Sequence, residues 1–212
     1  MSSAICEKIT RLFSEFTRYT FPFEKSEIPS NGIYILFEKG EYGHGVERIV
    51  RIGTHTGNNK LPARLREHFL VENKDRSIFR KNIGRALLNA DQDPYLKIWN
   101  LDLTQRNDKE NFGHLVDSEK QQRIEKRVTD YLQHAFSFSV VHVVNKADRL
   151  RWEARMISTV SLCEACHPSP KWLGLQSPKA KIRESGLWQV NELYKQALSE
   201  QELEELRTDI SR

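Results

Sequence analysis

The chain has 212 residues, with 33 Lys and Arg against 29 Asp and Glu and a formal net charge of +4. That length suits one full domain with elaborations, or one domain and a small extension, and no apolar run approaches the roughly 18–20 residues that span a bilayer. The N-terminus lacks the basic start and continuous apolar stretch of a secretory signal, so a cytoplasmic protein is expected.

Residues 3–19 place Ile5, Ile9, Leu12, Phe13 and Phe16 at helical spacing and read as an amphipathic helix. Pro29, Ser30 and Asn31 break that pattern and lead into a strand, Gly32 to Phe37. Its Ile33, Ile35 and Phe37 face one side, and Tyr34 and Leu36 the other. The glycine-rich stretch from Glu38 to Glu47 reads as a hairpin connection, Arg48 to Ile52 as a second strand, and Gly53 to Asn59 as a polar loop. Asn58 or Asn59 can cap the next helix, Leu61 to Leu70, with Pro62 in its first turn. A further helix is expected over 77–90. Tyr95 to Leu103 reads as a short strand or extended segment. Residues 118–135 read as a helix, Phe136 to Val144 as a third strand, and a helix capped by Asp148 runs to about Ala165. A loop-like stretch follows, and 187–208 adds one or two helices. Few strands, several helices and no βαβ rhythm make this an α+β chain.

Basic residues crowd the middle of the chain. Arg48, Lys60, Arg66, Arg76, Arg80, Lys81 and Arg85 are the expected phosphate contacts to a polyanion, while the tail around Glu200–Glu205 is acidic. A solvated helical surface is the plainer reading of the same charges. The cysteines are Cys6, Cys163 and Cys166. An odd number without an export signal argues for free thiols. Cys163 to His167 matches a haem-attachment string, but such attachment needs export. The pair is also half of a zinc site, but the chain offers no second pair. Ordinary helix-end residues are therefore expected there.

Three features carry chemistry. Tyr34 alternates out of an aliphatic strand. Arg64 and His68 stand at i, i+4 beside the apolar row Leu61, Leu65 and Phe69. Glu153 shares an i, i+3, i+7 stripe with Leu150 and Ile157, where an ionised carboxylate is costly unless paired or metal-bound. Two readings stand for it: a salt bridge to an arginine such as Arg149 or Arg64, or a metal role.

Together these residues resemble the core of the GIY-YIG endonuclease family, closest in motif style to its restriction-endonuclease branch. Gly32-Ile33-Tyr34 matches the first triplet. Arg51-Ile52-Gly53 stands where the second is expected, with arginine in place of tyrosine. Arg64 occupies the place of the family's catalytic arginine, His68 that of a histidine in the restriction branch, and Glu153 that of the metal-binding glutamate. No asparagine clearly fills the family's later position; Asn191 lies too far on. The resemblance implies a three-stranded antiparallel sheet flanked by helices, with an N-terminal helical extension over 1–30. The nuclease core would span 31–165 with a helical insertion at about 77–135, and a C-terminal extension would cover 166–212. It implies a metal-dependent endonuclease acting on double-stranded DNA, of restriction or defence type, with Tyr34, Arg51, Arg64, His68 and Glu153 catalytic. Glu153 would hold Mg²⁺, or Mn²⁺ as the alternative. Either Tyr34 or His68 would be the base, and an Arg51 meeting Tyr34 across the hairpin would favour its phenolate. A single-site enzyme must dimerise, rebind or turn around to cut both strands, so a homodimer is among the expectations. The rival reading is a nucleic-acid-binding module of the same fold that has lost cleavage.

Overall fold

The computed structural model describes residues 2–210; Met1, Ser211 and Arg212, the outermost residues of the two expected extensions, lie outside the described residues. Strands β1 (Gly32–Gly43), β2 (Val46–Gly53) and β3 (Phe136–His142) form one antiparallel sheet in the order β2-β1-β3. Around it lie helices α1 (Ser2–Ser14), α2 (Leu61–Phe69), α3 (Ile78–Ala90), α4 (Leu96–Trp99), α5 (Arg106–Phe112), α6 (Ser118–Ala135), α7 (Lys146–Ser161), α8 (Ala180–Ser185) and α9 (Glu200–Ile210). The expected α+β architecture is therefore present.

The first strand is twice as long as its aliphatic run suggests. Glu38 to Gly43 continues β1 rather than forming an irregular connection, and Gly43 lies opposite Val46. The turn is only His44-Gly45, with φ of 54° and 80°. Positive φ at both central residues is what a tight two-residue hairpin demands of a right-twisted strand pair.

Each sheet face packs against helices, which explains why β1 is buried almost without interruption from Gly32 to Glu38. On one face Tyr34, Leu36 and Val50 share a core with Leu65 and Phe69 of α2, Phe79 and Ile83 of α3, and Val128 and Leu132 of α6. On the other, Ile33, Ile35, Phe37, Ile49 and Ile52 meet Ile5, Ile9 and Phe13 of α1, Trp152, Met156 and Ile157 of α7, and Leu203 and Leu206 of α9. The segments expected as extensions thus complete the two cores. Glu38 anchors part of the C-terminal one: its buried carboxylate accepts hydrogen bonds from the indoles of Trp172 and Trp188, each 2.8 Å, and from the Tyr131 hydroxyl.

Other departures have local causes. The first helix ends at Ser14, and the chain then runs along β3, where Tyr19 and Phe138 exchange backbone hydrogen bonds of 2.8 and 2.9 Å. Tyr95 to Leu103 is not extended. It contains the single turn α4, which buries Trp99 over Gly84; a Cβ at Gly84 would lie 2.3 Å from that indole. Asn145, not Asp148, caps α7 through the amide of Ala147. Asn59 does not cap α2; it exchanges hydrogen bonds with Asn31, and Lys60 holds the cap position. Within 187–208 only α9 is helical, and the amide of Trp188 instead donates to the Val50 carbonyl at the open edge of β2 (2.8 Å). No helix among the described residues is long and apolar enough to cross a membrane.

Candidate active site

The two glycines of the triplets are explained by close approach. Tyr34 pairs with Gly53 across β1 and β2, and its ring lies over that residue, where a Cβ would come 2.1 Å from the hydroxyl. At Gly32 a Cβ would strike the Val141 carbonyl oxygen at 2.1 Å. Glycine at these two places lets β3 approach Gly32 and lets the Tyr34 ring lie over Gly53.

Tyr34 is 1% exposed and its hydroxyl lies 2.8 Å from Nε2 of His68 on α2. Nδ1 of His68 lies 2.7 Å from Oγ of Ser77, which also caps α3 by accepting from the Arg80 amide. Burial first, and then the charges of Arg64, Arg51 and Arg80, hold His68 well below its ordinary value. It is therefore neutral near pH 7, with one nitrogen donating and the other accepting.

Glu153 flanks the buried stripe of α7 instead of lying on it. Leu150 is 39% exposed, whereas Trp152, Met156 and Ile157 face the core. Neither expected arginine pairs with Glu153: Arg149 donates to the carbonyls of Val143 and Val144, and Arg64 pairs with Glu67. Oε1 of Glu153 accepts from the Thr54 amide at 3.1 Å, just past β2. Burial raises its pKa above the usual carboxylate range, opposed by the positive charges of Arg51 and Arg64. Thr54 also donates its hydroxyl to the Gly32 carbonyl (2.7 Å). His55 accepts the Gly32 amide at Nε2 (3.2 Å) with Nδ1 against the Gly57 carbonyl, so the first triplet and the glutamate are joined through this loop.

Arg64 borders a cleft of about 360 Å³ with Thr54, His55, Lys60 and Glu67. Its guanidinium is half-buried and rests on Glu67 and the Arg76 carbonyl, each 3.1 Å away. Arg51 lies on the same sheet face as Tyr34, because it pairs with Leu36. It does not meet the phenol, however. Its guanidinium donates to the Trp188 carbonyl and to Oε1 of Gln189 (3.0 Å) and lies over the Phe79 ring. The expected Tyr34–Arg51 contact is replaced by Tyr34–His68, and Arg51 acts instead on the charge state of Glu153 and His68.

The expected basic surface divides. Lys60, Arg66 and Arg76 are exposed. Arg48, Arg80, Lys81 and Arg85 are 1%, 0%, 6% and 8% exposed, so they are corrected from phosphate contacts to interior cations. Arg48 pairs with Glu41 at 2.7 Å, and Arg80 with Glu125 at 3.0 Å. Lys81 bonds Asp75 and the Leu101 carbonyl, and Arg85 bonds Asn82 and Asn100. Glu125 lies 45 residues beyond Arg80, where residue spacing carries no sign of it. Glu41, Asp75 and Asn82 are near in sequence and become partners only because the fold places them beside these cations.

Sequence reading missed Ser77, Thr54, His55 and Gln189 as neighbours of the site. Ser77 had a signal, since it opens α3; Gln189 had none, since it lies far beyond the motif. The structure also brings together four residues away from this site: Cys6, His44, Cys163 and Cys166. A family model described as the GIY-YIG domain matches residues 7–212. Searches of curated proteins and of solved structures return no match.

Proposed function

The chain belongs to the GIY-YIG domain family, a family of nucleases, and from that premise we propose that it hydrolyses phosphodiester bonds of double-stranded DNA with a divalent cation held by Glu153. The observation that carries this reading is the carboxylate itself. Glu153 is half-buried at the end of the sheet that carries Tyr34, and Oε1 is oriented by the Thr54 amide. Among the described residues it has no ion-pair partner. Such a group costs free energy unless a cation neutralises it, and an oxygen ligand suits Mg²⁺ first, with Mn²⁺ as a substitute. A cation there supplies Lewis-acid stabilisation of the phosphoryl oxygens. Arg64, at the cleft, leaves Glu67 to donate a forked pair of hydrogen bonds to the same phosphate. His68, kept neutral, accepts the Tyr34 hydroxyl hydrogen bond at Nε2 while Nδ1–H donates to Ser77, which leaves a lone pair of the Tyr34 oxygen to orient the attacking water. Arg51 helps keep Glu153 ionised. Lys60, Arg66 and Arg76 hold the DNA backbone beside the cleft. The motif style favours a restriction or defence role, and a second copy of the chain would cut the second strand.

The competing reading is a DNA-binding module without cleavage. It is favoured by the burial of Tyr34 and His68, which have no solvent face in the free protein, and by arginine at position 51. Plasmid nicking separates the two. With Mg²⁺ the protein should convert supercoiled plasmid to nicked or linear forms, and EDTA should stop it. Glu153→Gln should lower the rate by about 10³-fold, on the scale of several kcal/mol of metal stabilisation, with DNA affinity kept. Tight DNA binding without any Mg²⁺- or Mn²⁺-dependent cleavage would establish the module reading instead.

A further inference from the structure

At the turn end of the hairpin, opposite the candidate active site, all three cysteines of the chain converge with one histidine. Cys6 comes from α1, His44 from the β1–β2 turn, and Cys163 and Cys166 from the segment after α7. One ligand atom from each lies within 4.8 Å of all the others. Cys6 and Cys166 sulfurs are 3.7 Å apart, and the Cys163 sulfur is 3.3 Å from Nε2 of His44. A disulfide needs sulfurs at about 2.05 Å. A tetrahedron with metal–sulfur bonds of about 2.3 Å has edges of about 3.8 Å, which matches the observed separation. The cluster is too compact for several metal atoms and has room for one.

We propose that Cys6, His44, Cys163 and Cys166 form a closed structural site for one Zn²⁺. The three sulfurs are buried and the imidazole is half-buried, so the four positions leave no place for substrate. That is the arrangement of a structural zinc centre and not a catalytic one, which keeps a coordination position open. The surroundings are shaped for it. The loop between Cys163 and Cys166 is fixed to α1, since the Glu164 amide donates to Oγ of Ser3 (3.2 Å). Gly43 makes room for Cys166, since a Cβ there would lie 2.9 Å from its sulfur. His44 adopts φ of 54°, a conformation that costs free energy in most residues and that histidine adopts more readily than most. The site links the N-terminal helix, the hairpin turn and the end of α7, three elements distant in sequence, and so holds one helical layer against the sheet. Buried cysteines packing as small apolar groups would explain the sulfurs, but not the convergence of all three on an imidazole. The proposal is independent of nuclease activity.

The test is metal content of the full chain, purified without added metal or chelator and measured by plasma mass spectrometry. One zinc per chain is expected, and Glu153→Gln should retain it. Cys163→Ser should carry less than about a tenth as much, and EDTA treatment should lower the wild-type Tm by about 5 °C or more. Should Cys163→Ser fail to fold, exchange of wild-type protein into Co²⁺ provides an independent reading. A sulfur-to-cobalt charge-transfer band with intense tetrahedral d–d bands is the expected result. The proposal is overturned by zinc-free protein with three titratable thiols and a chelator-insensitive Tm, or by a Cys6–Cys166 disulfide in non-reducing mass spectrometry. Loss of the zinc in Glu153→Gln would overturn it too, by assigning the metal to the other end of the hairpin.

Discussion

Helices α2 and α3 follow one another and are similarly rich in cations, yet they use them in opposite ways. On α2, Arg64 borders the cleft and Arg66 faces solvent. On α3, Arg80, Lys81 and Arg85 all turn inward, because that helix is enclosed by α4, α6 and the segment near Trp188. Arg80 has no exposed surface; it donates to the Glu125 carboxylate, the Glu125 and His68 carbonyls and the Thr129 hydroxyl. A run of positive charge in a sequence is therefore no measure of a positive surface. Its meaning depends on whether the fold supplies buried acceptors, which are needed to offset desolvation.

The comparison breaks most visibly at Arg80. Arg80→Ala should destabilise the protein by about 3–5 kcal/mol, because Glu125 is left buried without its partner. Thermal unfolding would show this as a large fall in Tm, while the remaining folded protein binds DNA as before. An unchanged Tm with lost DNA affinity would return Arg80 to the surface. Arg64→Lys should leave Tm unchanged and lower single-turnover cleavage about 10²-fold, since a point charge cannot replace a planar fork at the phosphate. Near-wild-type turnover would reduce Arg64 to an electrostatic guide. Arg66→Ala should weaken DNA binding only a few-fold and flatten the slope of log affinity against log salt by about 1. A full salt slope in this variant would remove Arg66 from the interface.

Arg51 sharpens the contrast, being buried like the cations of α3 yet electrostatically coupled to the candidate site. Burial already places the Glu153 pKa above the usual carboxylate range, and Arg51 is the leading opposing charge. Metal binding needs the carboxylate ionised, so activity is lost as pH falls through that raised value. Arg51→Leu removes a positive charge, raises the value further and moves the acid limb of the pH–rate profile to higher pH. The loss should be a few-fold in mildly acidic buffer and vanish above neutrality. Arg51→Lys should keep the limb in place. If Arg51→Leu lowers the rate equally at every pH, Arg51 acts through its hydrogen bonds to Trp188 and Gln189 rather than through charge.

Much of the fold was legible from local patterns. The strand at Gly32, the helices at 61–69 and 118–135 and the third strand all follow from side-chain periodicity and local end signals. The full length of β1 was not, because Glu38 and Glu41 read as loop residues. They are buried in β1 only because two indoles and a phenol reach Glu38 from distant segments, and Arg48 reaches Glu41 from the paired strand. The order of Tyr34, Arg64, His68 and Glu153 was visible along the chain, as was the alternation that set Tyr34 apart. The Tyr34–His68–Ser77 hydrogen bonds were not, because they join β1, α2 and the cap of α3.

The sequence by itself determined the family, the α+β class and the three strands, and it singled out the carboxylate, arginine and tyrosine proposed for the site. Those features depend on spacing within one element or on the order of short motifs, and both are written along the chain. Tertiary structure alone decided which cations are interior, that Arg51 bonds Trp188 and Gln189, and that Cys6 and His44 join Cys163 and Cys166. The physical reason is the same in each case. Desolvation and coordination depend on which atoms lie within a few ångströms, and here those atoms belong to residues as far apart as Cys6 and Cys166.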